Sequence, residues 1–413
     1  MVKMKQKIVF KISEFPHISE TFIVNQIVTA IKLGYEVEIL IRKLLNNATD
    51  LNIGLIKKYA LLDKIIIENY NIPKNKVVRF IKWIFLLISN FKDIDYIRKY
   101  HNEHSKFSLT CLYQWQFYKQ FNDAAIIHIQ YGTNKYPIDL LKKTGYFKPT
   151  VVVTFHGHDA FFPINGFIPN NGYYDNLFKN VMLITANTPY LCNKIEELGC
   201  PKNKLIVIPV GVDVNFFYPL SINKKEGHIF KIITVGRLDK VKGHSYSIEV
   251  VKKLIDIGFE VEFSIIGEGN ERNNLEDLIK SYQLEDKVFL KGSMSQKEIR
   301  QELWEHDIYI LTAVALKDGR RETQGLATIE AQACGLPVVV FDSGGVKYTL
   351  KDGISGFICD EFDVNAMVNK IKLFIEDPNL IDSMGKNAVK FVNESYSQKI
   401  IDKKWERIYK SLT

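Results

Sequence analysis

At 413 residues, 46% of them hydrophobic and 25% charged, the chain is globular in composition and too long for one ordinary core, so two or three domains are expected. The net charge of +8 suits anionic partners such as nucleotides, phosphates or acidic lipid, and no nucleic-acid partner is expected. Five scattered cysteines without a CxxC pair argue against a disulfide framework or a zinc site, and no run approaches the roughly 18 apolar residues of a membrane span.

The chain opens on MVKMKQKIVF, which lacks the apolar stretch and cleavage site of a signal peptide, so a cytoplasmic protein is expected. Lys7–Ile12 reads as a strand, 20–33 as a helix ended by Gly34, and Glu36–Ile41 as a second strand. The stretch from Lys74 to Lys99 is amphipathic and carries seven Lys or Arg against two Asp. Its apolar side either packs on the first sheet or lies in an anionic membrane interface, at the inner face of the cell membrane. Asp93 and Asp95, an Asp-x-Asp pair inside this stretch, read as surface charges and not as a metal site; His101 and His104 read as solvated. Strands follow at 125–129, Thr150–Phe155 and 182–185. The segment 208–230 has turn residues and a polar patch but no period, and reads as a linker. The alternation then restarts: strand 231–235, helix 245–257, strand 260–266, helix 271–282 and strand 288–290. Strand Ile308–Leu311, helix 326–334 and strand 337–341 complete it. Strands alternating with helices predict an α/β protein with a parallel sheet in each half. In such sheets ligands bind beyond the carboxyl ends of the strands.

Five stretches sit at such ends. VGRLDKVKGH carries Gly236, Arg237 and Lys242; the two cations either neutralise a diphosphate or are solvated turn residues. IIGEGNER offers Gly267 and Gly269, but Arg272 stands where a dinucleotide fingerprint needs its third glycine. TFHGHDA ends an apolar strand with His156, His158 and Asp159, as a hydrogen-bonding group or acid–base, or as a strand cap. In FPHISETF, Ser19 can cap a helix starting near Glu20 and Thr21, whose amides suit an anion or a sugar hydroxyl. In ETQGLATIEAQACGLP, Gly325 opens a helix closed by Gly335 and Pro337, and free amides near Gly325 and Leu326 would face an anion. Glu330 lies on that helix among small side chains. A buried carboxylate there needs partners: sugar or ribose hydroxyls, or an Arg or Lys.

Taken in order, FPHISETF, TFHGHDA, IPVGVDVNFFYP, VGRLDKVKG, IIGEGNERNNLEDL, HDIYILTA and ETQGLATIEAQACGLPVVV make the chain resemble glycosyltransferase family 4, above all its capsule, exopolysaccharide and O-antigen branch. The resemblance implies a GT-B fold, two Rossmann-like α/β domains facing a central cleft. It implies an acceptor-binding domain over 1–212, a nucleotide-sugar domain over 213–395, and a last helix over 396–413 returning to the first. It implies a retaining, metal-independent hexosyl transfer from a nucleotide sugar, UDP-sugar favoured over GDP-sugar, to a glycan or lipid-linked acceptor, with no further cofactor. Arg237 and Lys242, beside Gly236, would hold the diphosphate. Glu322 would contact the donor sugar, with Thr323, Gln324, Gly325 and Leu326 beside sugar and phosphate, and Glu330 would bond the ribose. His156 would touch the sugar near the reacting carbon, making His156 and Glu322 the catalytic candidates. Ser19, Glu20, Thr21, His158 and Asp159 remain candidates for the acceptor side or its loops. Thr323 and Gln324, and the basic loop 313–321 before them, depart from the common pattern of the family. A nucleotide-sugar epimerase on the same fold and a non-catalytic sugar-nucleotide-binding subunit are the rival readings.

Overall fold

Strands such as 126–129 and 151–155 are mostly apolar and buried at every position, so both faces need cover. Parallel sheets meet that need because each crossover lays a helix on a face. A computed structural model of the chain describes residues 6–16, 20–45, 50–104, 108–161, 172–220 and 229–413. The chain divides into two units: Met1–Ala186 with Cys192–Val207 and Lys404–Thr413, and Asn187–Leu191 with Ile208–Lys403.

The first unit holds β1 (Lys7–Phe15), β2 (Glu36–Leu44), β3 (Ile65–Ile67), β4 (Ile126–Gln130), β5 (Thr150–Phe155), β6 (Leu183–Ala186) and β7 (Leu205–Val207). They form one parallel sheet in the order β3-β2-β1-β4-β5-β6-β7. The second unit holds β8 (Phe230–Val235), β9 (Val261–Ile266), β10 (Val288–Gly292), β11 (Ile308–Leu311), β12 (Val338–Phe341) and β13 (Gly356–Cys359). These are also parallel, in the order β10-β9-β8-β11-β12-β13. The strands β3, β7 and β13 are absent from the sequence reading. All three are edge strands, short and paired on one side only, and their local composition carries little period. In each sheet the strand order reverses once, between β1 and β4 and between β8 and β11. Loops leaving those strands part there and leave room for a ligand.

The buried faces of β8, β9, β11 and β12 carry the second core, with Ile232, Phe263, Ile310 and Val339 fully covered. In the first unit, the chain end packs on β4. His128 on that strand bonds the Tyr409 hydroxyl through Nδ1 (2.9 Å) and the Thr154 hydroxyl through Nε2 (2.8 Å). The Trp405 ring lies 5.1 Å from the imidazole. Burial pushes the His128 pKa down to about 3, so the ring is neutral and both nitrogens depend on these partners. All five cysteines are unpaired thiols, and Cys111, Cys200, Cys334 and Cys359 are buried.

Two expectations for the region after β3 change. His104 is not simply solvated: its ring bonds the Tyr100 carbonyl (2.9 Å) and the Tyr136 hydroxyl (3.3 Å), and His101 accepts from the Ser108 amide. The apolar side of the 76–89 stretch does not pack on the sheet. The Lys76–Ser89 helix has no buried residue. Asp93 meets Lys119 at 2.8 Å and Asp95 is exposed. Among the described residues no helix is long and apolar enough to cross a membrane.

Removing the Tyr409 hydroxyl would leave a buried imidazole nitrogen unsatisfied. Tyr409→Phe should destabilise the first unit by about 1–3 kcal/mol. The check is urea unfolding followed by tryptophan fluorescence, since Trp83, Trp115 and Trp405 all report on this unit. An unchanged midpoint would mean that the contact carries no net stability.

Candidate active site

At the switch point of the second sheet, the loop after β8 is drawn against the loop after β9. The Gly236 amide donates to Ile266 (2.9 Å), that of Leu238 to Glu268 (3.0 Å), and that of Glu271 to Leu238 (3.0 Å). Two glycines make this approach feasible. A Cβ on Gly267 would stand 1.9 Å from the Gly236 carbonyl oxygen, and one on Gly269 2.4 Å from that of Leu238. The G-x-G therefore serves close packing of backbone on backbone, which needs no third glycine. The loop presents its cations differently. Arg237 is exposed and its guanidinium has no partner among the described residues. Lys242 folds back along Gly236 and ends 2.7 Å from the Glu322 carboxylate.

That ion pair lay outside the sequence reading, which gave Lys242 and Glu322 to different parts of a ligand. Glu322 also accepts from the Gly325 amide (3.1 Å), so this amide is not free as expected; the carboxylate folds over the helix start and takes it. Burial works against the charge of Glu322, but Lys242 and the amides of Gln324 and Gly325 outweigh it and hold its carboxyl below the ordinary range. The loop is held from three further directions. The Gln324 side chain bonds both the carbonyl and the amide of Val210 (2.9 Å each), so it serves as a tether and points its amide at backbone. Thr188 donates to the Thr323 carbonyl (2.8 Å), and Asn187 to the Thr323 hydroxyl (3.3 Å). The Gly345 amide donates to the Glu322 carbonyl (2.8 Å); a Cβ on Gly345 would lie 1.8 Å from the Thr323 oxygen. Asn187, Thr188, Gly344 and Gly345 escaped the sequence reading. The Gly-Gly pair just after β12 was a usable signal, because it marks close backbone approach at a strand's carboxyl end.

Gly325 sits in the left-handed region (φ 82°) and starts the Leu326–Ala333 helix, with no side chain capping it. One turn on, Glu330 is half-buried. Among the described residues it has neither an ion-pair nor a side-chain hydrogen-bond partner, so the Arg or Lys partner weighed from sequence is not there. Although part of the side chain reaches solvent, its surroundings lift the carboxyl to about 7 by desolvation. The sign follows: the empty domain is favoured when Glu330 is protonated, and loses that advantage as pH rises from about 4.5 through about 7. A ligand donating hydrogen bonds would reverse this penalty.

The first unit has its own cluster beyond β1, β4 and β5. Asp159 is fully buried and accepts from the amides of His156 (3.1 Å), Gly157 (2.9 Å) and Gly132 (2.8 Å). Burial pushes its carboxyl up despite those bonds. It is a loop clamp turned away from solvent and not a residue facing an acceptor. His156 is partly buried, bonds Gln130 through Nε2 (2.8 Å) and packs on Phe22 and Tyr131. Burial takes its pKa down to about 3, so the ring is neutral near pH 7. His158 is exposed and lies 4.8 Å from the Tyr131 ring, whose hydroxyl donates to Glu20 (2.7 Å). Glu20, Tyr131 and His158 line a hollow of about 240 Å³ with Ser13 and Asn134. Thr21 begins the Thr21–Lys32 helix, and Glu20 stands at its cap with its carboxylate turned to Tyr131 and not to the helix amides. Ser19 lies outside the described residues. Among the described residues no group of three or more His, Cys, Asp and Glu is gathered as a metal cage.

Solved glycosyltransferases share this architecture. A glycosyltransferase from Rickettsia africae superposes over 99% of both chains with a TM-score of 0.71 at 20% identity. Anabaena HepE, solved with UDP-glucose, superposes over 98% of this chain and 99% of its own, with a TM-score of 0.71 at 16% identity. The fold is thus GT-B, the two-Rossmann architecture of glycosyltransferases. The family models narrow it: "Glycosyltransferase Family 4" matches residues 93–216 and "Glycosyl transferases group 1" matches 221–391. The chain belongs to glycosyltransferase family 4. Over 98% of its length it is 27% identical to the whole of an Escherichia coli protein named as a colanic acid biosynthesis glycosyltransferase, WcaL. The amylovoran biosynthesis glycosyltransferase AmsK of Erwinia amylovora is 26% identical over 87% of this chain and 88% of its own.

The Lys242–Glu322 pair gives a test independent of any ligand. Glu322 contributes stability above about pH 4.5 that is lost as pH falls through its depressed pKa. Lys242→Met should cost about 1–3 kcal/mol near neutral pH and remove much of that acid dependence. Urea midpoints measured at several pH values from 3 to 7 check it (roughly the carboxylate titration range). Parallel curves for variant and wild type would show that the pair is not coupled.

Proposed function

We propose that the protein is a retaining, metal-independent transferase that moves a hexose-type sugar from a nucleoside diphosphate sugar, UDP favoured over GDP, to a glycan or lipid-linked acceptor in cell-surface polysaccharide synthesis. It needs no cofactor besides the donor, and works in the cytoplasm or at the inner face of the membrane. The observation that carries the reading is Glu330: a carboxylate lifted to about 7, without a protein partner, one turn inside a helix whose start adjoins Lys242 and Glu322. Two adjacent hydroxyls of a ribose would give it the donors it lacks.

On this reading the diphosphate competes for Lys242 with Glu322 and also takes the free guanidinium of Arg237. Glu322, released from its ion pair, then accepts from the sugar hydroxyls. The helix start at Leu326 adds its dipole to the stabilisation of the leaving phosphate. In the transfer step the acceptor oxygen bonds the anomeric carbon as the bond from that carbon to the phosphate oxygen breaks, on the same face. The acceptor proton passes to the departing phosphate. His156, neutral at working pH, hydrogen-bonds the sugar and does not titrate in the rate profile. Support for UDP comes from HepE, solved with UDP and with UDP-glucose. Support for a polysaccharide product comes from the relatives named for colanic acid and amylovoran.

Glu330→Gln should weaken both UDP and the UDP-sugar by roughly 1.5–3 kcal/mol, about tenfold to a hundredfold. Glu322→Gln frees Lys242 from its ion pair, so bare UDP should bind as well as or more tightly than to wild type, while transfer or donor affinity falls. The pH dependence has a defined sign. A ribose selects the charged form of Glu330, so wild-type UDP affinity should fall as pH drops through about 7, and Glu330→Gln should be flatter. Calorimetry on both variants across pH decides; equal UDP affinity for Glu330→Gln and wild type removes the ribose assignment.

Sugar transfer should also persist in excess EDTA, because Lys242, Arg237 and the helix start supply the charge at the leaving group. Complete loss of rate, restored by magnesium or manganese, would overturn metal independence. Consumption of donor without any acceptor would favour the epimerase reading.

A further inference from the structure

The Lys76–Ser89 helix is mounted with its apolar side outward. Its inner side is held by the partly buried Trp83, Leu86 and Leu87 and by polar groups and backbone. The Tyr113 hydroxyl donates to the Arg79 carbonyl (2.7 Å), Asn90 donates to Gln116 (2.8 Å), and Lys119 donates to Asn90 (2.9 Å). The outer side carries Val77, Ile81, Ile84, Phe85 and Ile88, which recur at the three- and four-residue spacing of one helix face. Val77 is 66% exposed, Ile81 62%, Phe85 73% and Ile88 65%, and Phe91 extends the patch at 65%. Scattered exposed apolar residues are ordinary on a soluble protein, but a contiguous stripe of this kind marks a surface that another phase or molecule covers.

Charge says what covers it. Lys74, Lys76, Lys82 and Lys92 are exposed around the stripe, and no Asp or Glu occurs from Lys74 to Phe91. Beyond that stretch Asp93 is neutralised by Lys119, and Asp95 is the next exposed acid. We propose that this face docks on an anionic lipid surface, with the apolar side chains entering the acyl boundary and the lysines meeting the headgroups. A free phosphate would use the lysines and leave the apolar stripe uncovered. A second copy related by a two-fold axis would set the two lysine rims against each other. Neither explains both halves of the surface. The inference does not depend on the transfer reaction, and it gives the first unit a defined orientation on a leaflet.

The test is flotation of the full-length protein with phosphatidylcholine vesicles, with and without phosphatidylglycerol, at low and high salt. The wild type should float with the anionic vesicles at low salt, weakly with the neutral ones, and less as salt rises. The triple variant Ile81→Ser, Phe85→Ser, Ile88→Ser alters exposed side chains only, and should bind anionic vesicles at least tenfold more weakly with an unchanged circular dichroism spectrum. A second set, Lys74→Gln, Lys76→Gln and Lys92→Gln, should lose the preference for anionic lipid while keeping the residual binding to neutral vesicles. Failure of the wild type to float at low salt overturns the proposal. So does equal flotation of wild type and both variant sets. A wild-type dimer in light scattering that the triple variant converts to monomer would assign the face to a second copy and overturn it as well.

Discussion

A parallel strand can be followed by another in the same sheet only through a crossover, and each crossover lays a helix on one face. Both sheets of this protein obey that constraint, and it decides where chemistry can occur. The strand faces are sealed, as at Phe10, Val152, Ile232 and Ile310. Polar and titratable groups with access to a ligand are pushed to the loops at the carboxyl ends. There the strand order reverses between β1 and β4 and between β8 and β11. The loops carrying Arg237, Lys242 and Glu322 and those carrying Glu20, Tyr131 and His158 occupy equivalent places in their own units.

Within the second unit two glutamates eight positions apart are held in opposite electrostatic states. Glu322 is charged and matched, with Lys242 at 2.7 Å and the Gly325 amide at 3.1 Å. Glu330 is unmatched and lifted to about 7 by its surroundings. The contrast arises from the left-handed turn at Gly325. The turn folds the loop back so that Glu322 lies over the helix start, while Glu330 is carried one turn along the helix into a poorly solvated position. A ligand with a polyanionic centre and a hydroxylated ring would relieve the second carboxylate while exchanging the partner of the first.

The first unit separates residues that the chain places side by side. His156, Gly157, His158 and Asp159 are consecutive, yet Asp159 is wholly internal and binds three amides, His158 is exposed, and His156 lies between as a neutral ring. A tight turn accomplishes this: the 3-10 segment His158–Ala160 reverses the side-chain direction within one or two residues.

Periodicity and punctuation carried much of this in the linear chain. Apolar runs, most of them closed by Gly or Pro, located β1, β5, β8, β9 and β11, because a strand buried on both faces has a composition that few other environments tolerate. The order of the motifs was enough to indicate the family, since glycines, cations and paired glutamates at strand ends are local features. Three things were not legible. The edge strands β3, β7 and β13 exist because a neighbour offers a free row of amides and carbonyls, and at three or four residues each they are too short to show a period. The Lys242–Glu322 pair and the Gln324–Val210 tether join residues 80 and 114 positions apart, which only chain folding brings together. The direction of the Lys76–Ser89 stripe was open as well. Amphipathic spacing defines that a helix has an apolar face, whereas which apolar residues turn inward depends on what the other side meets, here Trp83, Leu86 and Leu87 partly buried and Tyr113 and Gln116 bonding its backbone and cap. Local composition thus sets which elements form and which groups they carry, and long-range packing sets each group's partners, its charge state and the surface it presents.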